Sequence, residues 1–116
     1  MRLWTRLGAV ALALSASSAQ AEANGAWRVN GAIAGRTFVL DCQFNGNAGT
    51  CTDTDSKKTH PLASLSATGD QVAWSFKTKV AIMSVTLSFA GRVAGNRITG
   101  TMRAAGRSGT FNAVRR

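Results

Sequence analysis

Histidine, cysteine, proline and acid are all scarce in this chain, and each scarcity removes a class of function. His60 is the only histidine, so no second imidazole exists to build a metal site. It lies in a polar stretch without a nucleophile motif and reads as a solvated loop residue. Cys42 and Cys51, the only cysteines, lack the C-x-x-C spacing of a redox centre. Asp53-Thr54-Asp55 has the look of a cation loop but lacks the later glycine and bidentate glutamate of a calcium hand, so it reads as a polar turn. The glycines form neither a phosphate-binding P-loop nor a strand–GxGxxG–helix unit. Neither metal, cofactor nor catalysis is expected. Only a deep pocket converging on His60, Asp53 and Asp55 would revive an enzyme reading.

Apolar runs long enough to span a bilayer are missing as well. The clearest one, 7–16, falls well short of the ~20 residues a spanning helix needs. Arg2 and Arg6 precede it and Ala19-Gln20-Ala21 follows it, which is the three-part pattern of a secretory signal. Cleavage after Ala21 is expected, leaving 22–116 as a single domain in the periplasm or outside the cell. No cysteine follows the cut and the two arginines are not adjacent, so neither a lipid anchor nor twin-arginine export is indicated. An even cysteine count behind an export signal favours a disulfide.

Negative charge is the next shortage. Five acids face fourteen Lys and Arg, for a formal charge of +9; loss of Arg2 and Arg6 lowers this to +7. Such a surplus attracts nucleic acid, anionic lipid head groups or acidic glycans. The cations are scattered, however, and only Lys57-Lys58 and Arg115-Arg116 are adjacent in 22–116. No specific nucleic-acid partner is indicated, and scattered charge also serves solubility and protects strand edges.

Helical spacing is absent beyond two turns, and period-2 alternation punctuated by glycine takes its place. The organising stretch is the hairpin 37–53. With Gly46-Asn47 as a two-residue loop of type II′, Phe44 faces Gly49, Gln43 faces Thr50, and Cys42 faces Cys51. That last pair is of the close, non-hydrogen-bonded kind, with Cα atoms ~4.5 Å apart, within disulfide reach. Further strands are expected over 25–32, 59–66 (interrupted by the single proline, Pro61, and so edge-like or bent), 71–78, 82–93, 97–104 and 110–115. Val72, Trp74 and Phe76 share one face, as do Met83, Val85, Leu87, Phe89 and Val93. Trp74-Ser75-Phe76-Lys77-Thr78-Lys79 puts its rings on one side and its lysines on the other. Consecutive hairpins with one apolar face make an all-β antiparallel up-and-down meander, which buries that face by closing into a small, roughly eight-stranded barrel.

Gly25-Ala26-Trp27 on the first strand and Arg115 on the last resemble the ends of a calycin barrel, the lipocalin–avidin type. The tail from Gly91 to Arg115 is also similar to small secreted bacterial barrels of uncharacterised role. The resemblance implies a calycin-like fold in which Trp27 packs against Arg115 across the closed end. In physical terms, an arginine on the face of Phe111 and Ala113 must either reach an open rim or rest on a ring. The chain is shorter than a lipocalin, and no avidin-like set of ligand residues matches position by position.

The functional expectation is a non-enzymatic binding or interaction module. A barrel lined by Leu40, Phe44, Trp74, Phe76, Met83, Leu87, Phe89 and Met102 either holds a small apolar ligand at its open end or is filled by those side chains. Two alternatives stand beside it. One is a periplasmic inhibitor of an envelope hydrolase, and the other a binder of anionic surfaces, glycan or lipid head group, through a basic face.

Overall fold

The computed structural model describes residues 22–116; the expected signal segment, 1–21, lies outside the described residues. Nine strands follow one another: β1 (Gly25–Ile33), β2 (Arg36–Asn45), β3 (Ala48–Asp53), β4 (Thr59–Pro61), β5 (Ser64–Thr68), β6 (Gln71–Val80), β7 (Met83–Ala94), β8 (Arg97–Ala104) and β9 (Arg107–Arg115). They form one antiparallel sheet in the order β4-β3-β2-β1-β9-β8-β7-β6-β5. The sheet is an open, curled half-barrel. Its one non-consecutive ladder joins first strand to last, from Trp27↔Arg115 to Ile33↔Gly109.

The strand expected over 59–66 is two strands, which makes nine rather than eight. Proline lacks the N–H that a ladder needs, and the break falls just after Pro61. Leu62 N–H still donates to Gly49 O of β3 at 2.9 Å, whereas Ala63 N–H donates to Ser75 O of β6 at 2.8 Å. The segment therefore changes partners between adjacent residues, and both edges of the sheet belong to one short stretch of chain. His60, expected in a solvated loop, sits on β4 opposite the buried Cys51. Its ring stacks on Phe76 of β6, with centroids 5.1 Å apart.

Hairpin register follows from turn chemistry. Gly46 has φ 67° while Asn47 does not enter the left-handed region, as a type II′ turn demands. The pairs Asn45↔Ala48, Phe44↔Gly49 and Cys42↔Cys51 result. Alternation then turns every second side chain inward. Trp27, Val29, Phe44, Trp74, Phe89, Ile98 and Met102 are all buried in one core. Trp74 lies at its centre, stacked on Phe89 at 4.9 Å and 7° between planes. Phe44 is tilted against it at 4.9 Å, and Phe111 meets it edge-on. The indole N–H of Trp74 is buried without a partner among the described residues.

Candidate binding surface

The two ends of the sheet differ in chemistry. At the end carrying Asn24, Gly46, Asn96 and Arg115, polar groups satisfy one another. The Arg115 guanidinium donates to the carbonyls of Asn24, at 2.7 Å, and of Glu22. Trp27 Nε1 donates to Ala23 O at 2.9 Å. The ion pairs lie in this half too: Arg28–Asp41 at 2.9 Å, Arg116–Asp41 at 3.1 Å and Arg92–Asp70 at 3.0 Å. The hydrogen bond from Arg28 holds the Asp41 carboxyl below its ordinary value, outweighing the opposite effect of its slight burial.

At the other end the cations have no such partners among the described residues. Arg36, Lys57, Lys58, Lys77, Lys79, Arg103 and Arg107 are all exposed. Only Asp53 and Asp55 accompany them, so this end carries five of the seven surplus charges of 22–116. The Asp53 carboxylate is occupied locally, with Oδ1 accepting the N–H groups of Asp55 at 2.8 Å and Ser56 at 3.2 Å.

Between these cations projects the tip of the β6–β7 hairpin. The β5–β6 ladder ends at Ser64↔Ser75 and the β7–β8 ladder at Leu87↔Ala104. Residues 77–86 pair only with each other, from Lys77↔Thr86 to Val80↔Met83. Three steps of strand carry the tip about 10 Å past Lys77. Ala81 takes φ 57° at the first turn position, where glycine is usual. Val80 is 58 %, Ile82 95 % and Met83 67 % exposed. Open clefts flank the arm, one of about 510 Å³ against Lys58, His60, Lys77 and Lys79, the other of about 270 Å³ against Arg103 and Arg107.

The residues expected to line a ligand site are placed as follows. Leu40, Phe44, Trp74, Phe76, Phe89 and Met102 are buried core residues and Leu87 packs against them. Met83 does not join them. It has the right parity along β7, but β5 and β8, which flank the hairpin, stop short of it, so it has no interior to face. Cys42 and Cys51 are joined by a disulfide, with Cα atoms 4.0 Å apart, which indicates an oxidising environment. Arg115 lies over Trp27. His60 and Asp53 share the larger cleft, which Asp55 does not line. Among the described residues no group of three His, Cys, Asp or Glu side chains gathers as a metal ion requires.

Sequence reasoning missed the hairpin tip. Val80-Ala81-Ile82-Met83 is apolar enough to read as core, and only the lysines at 77 and 79 and the short partner strands mark it as an arm. No protein-family model, curated protein or solved structure matches the chain.

Proposed function

We propose that the protein is an exported, non-enzymatic binding module of the periplasm or cell exterior that holds anionic surfaces, phosphate-, sulfate- or carboxylate-rich, through its hairpin end. The observation that carries this is the segregation of charge. Ion pairs occupy the Trp27–Arg115 half, while Lys57, Lys58, Lys77, Lys79, Arg103 and Arg107 gather around one projecting arm and form no ion pair among the described residues. Like charges gathered at one end repel, and a polyanion relieves that repulsion while releasing its own counterions. The packed rings of Trp74, Phe89, Phe76 and Phe44 favour binding on the outside of the sheet rather than within it.

We read the fold that presents this end as a calycin-like barrel whose seam is the partner switch at Leu62-Ala63. The Trp27–Arg115 stack and the β1–β9 ladder support that reading.

Chromatography on immobilised heparin tests the function. Retention should be strong at low salt and lost as salt shortens the screening length. Lys77→Glu should move elution to markedly lower salt, while Arg97→Glu, which changes the net charge by the same amount at the opposite end, should change it little. Equal effects from both variants would mean that net charge, not this surface, is responsible.

A further inference from the structure

We infer that the tip of the β6–β7 hairpin is a membrane anchor, which enters the interfacial layer of an anionic phospholipid bilayer while Lys77 and Lys79 rest among the head-group phosphates. The inference deepens the anionic-surface reading and rests on it, because it chooses the surface.

Three observations lead to it. The first is the composition of the tip. Among the described residues, the three most exposed large apolar side chains, Val80, Ile82 and Met83, are also the three clustered at one turn. A soluble polyanion such as heparin offers nothing to an isoleucine that is 95 % exposed, whereas an acyl-chain boundary removes it from water.

The second is the order of groups along the arm. Apolar residues come first, then Lys79 and Ser84, then Lys77 and Thr86. Lys77 lies about 10 Å behind the tip, which matches the depth to which interfacial elements bury their apolar face. Arg103 and Arg107 line the cleft on one flank of the arm, and Lys58 lines the cleft on the other together with Lys77 and Lys79. Charge and apolar surface thus follow the profile of an anionic leaflet, in which each basic residue close to the surface strengthens binding about fivefold.

The third is the backbone. Hydrocarbon cannot satisfy an open strand edge, and over 77–79 and 84–86 the outer edges of the arm pair with no neighbouring strand. Only the turn, closed by Val80↔Met83, suits the apolar side of the interface. Penetration therefore stops at 80–83, leaving the lysines at the level of water and phosphate. The arm lies on the bilayer and does not cross it.

Vesicle flotation, paired with heparin retention, tests this. The purified protein should float with phosphatidylcholine vesicles containing phosphatidylglycerol and stay in solution with phosphatidylcholine alone. Ile82→Ser should weaken vesicle binding about tenfold while leaving heparin elution and thermal stability unchanged, because the side chain is outside the core. An Ile82→Trp variant of the processed chain, 22–116, should gain blue-shifted emission on anionic vesicles that the native 22–116, with its two tryptophans Trp27 and Trp74 already buried, does not show. Lys77→Glu with Lys79→Glu should weaken binding to vesicles and to heparin together. Unchanged vesicle affinity in Ile82→Ser, or no spectral shift in Ile82→Trp, overturns the anchor. Heparin retention without vesicle binding also overturns it but leaves the anionic-surface reading standing. Loss of both interactions in the native protein removes the two together.

Discussion

The guanidinium of Arg115 lies over the indole of Trp27, its Cζ 4.2 Å from the ring centroid. The two residues are register partners in the β1–β9 ladder, so the stack is built by strand pairing rather than by a long side chain searching for a ring. The same guanidinium donates to the carbonyls of Asn24 and Glu22. It therefore ties the segment before β1 to the end of β9.

Arg115→Ala should cost about 1–3 kcal/mol, combining the cation–π contact with hydrogen bonds from a charged donor. Arg115→Lys should recover only part of this, since an ammonium cannot both cover the ring and fork to two carbonyls. Urea denaturation of the three proteins measures both differences.

Reduction of Cys42–Cys51 should lower stability without unfolding the protein. The loop is short, with a sequence separation of 9, and the chain-entropy argument assigns its closure about 2.5 kcal/mol. The Cys42→Ala, Cys51→Ala double variant should show a lower denaturation midpoint with unchanged far-ultraviolet dichroism.

Gly91 and Gly100 are paired across β7 and β8, and the ring of Phe111 lies against this bare patch. A Cβ on Gly100 would sit 2.0 Å from the Ala90 carbonyl oxygen, and one on Gly91 3.0 Å from Phe111 Cζ. Gly100→Ala meets backbone, which cannot swing aside, and should destabilise by about 1–3 kcal/mol. A thermal melt reads the difference directly.

Asp41 gives an acid dependence with a definite sign. Its folded carboxyl titrates below its ordinary value because Arg28 donates to it. The stability it contributes is complete above the unfolded value, about pH 3.9, and is lost as pH falls through the folded one. Asp41→Asn should flatten the stability profile below about pH 4, with a modest loss of stability at neutral pH, as for a largely solvent-facing pair, that disappears in acid.

How far the sequence foretells this molecule depends on the range of the interaction concerned. The register of the 37–53 hairpin was legible, because a two-residue turn fixes it locally. The inward parity of β6 and β7 was legible from alternation. Alternation, though, gives the face a residue points to and not whether neighbouring strands extend that far. Met83 shares the parity of Phe89 yet sits beyond the last residue of β8 that could cover it. The pause at Pro61 was visible, but the transfer of chain from β3 to β6 at the next two residues depends on where those strands lie in space. His60 was misread for the same reason, since its stacking partner Phe76 belongs to a strand that starts eleven residues later. Gly91 and Gly100 resemble turn glycines until the position of Phe111 is known.

The adjacency of β1 and β9 governs when this protein can be finished. A chain emerging N-terminus first holds β1 with β2 on one side and nothing on the other until 107–115 arrive. Synthesis therefore cannot trap a completed sheet before β9 is made. A premature stop or a proteolytic nick within the nine residues of β9 would strip the cover from Trp27 and mark the product for degradation.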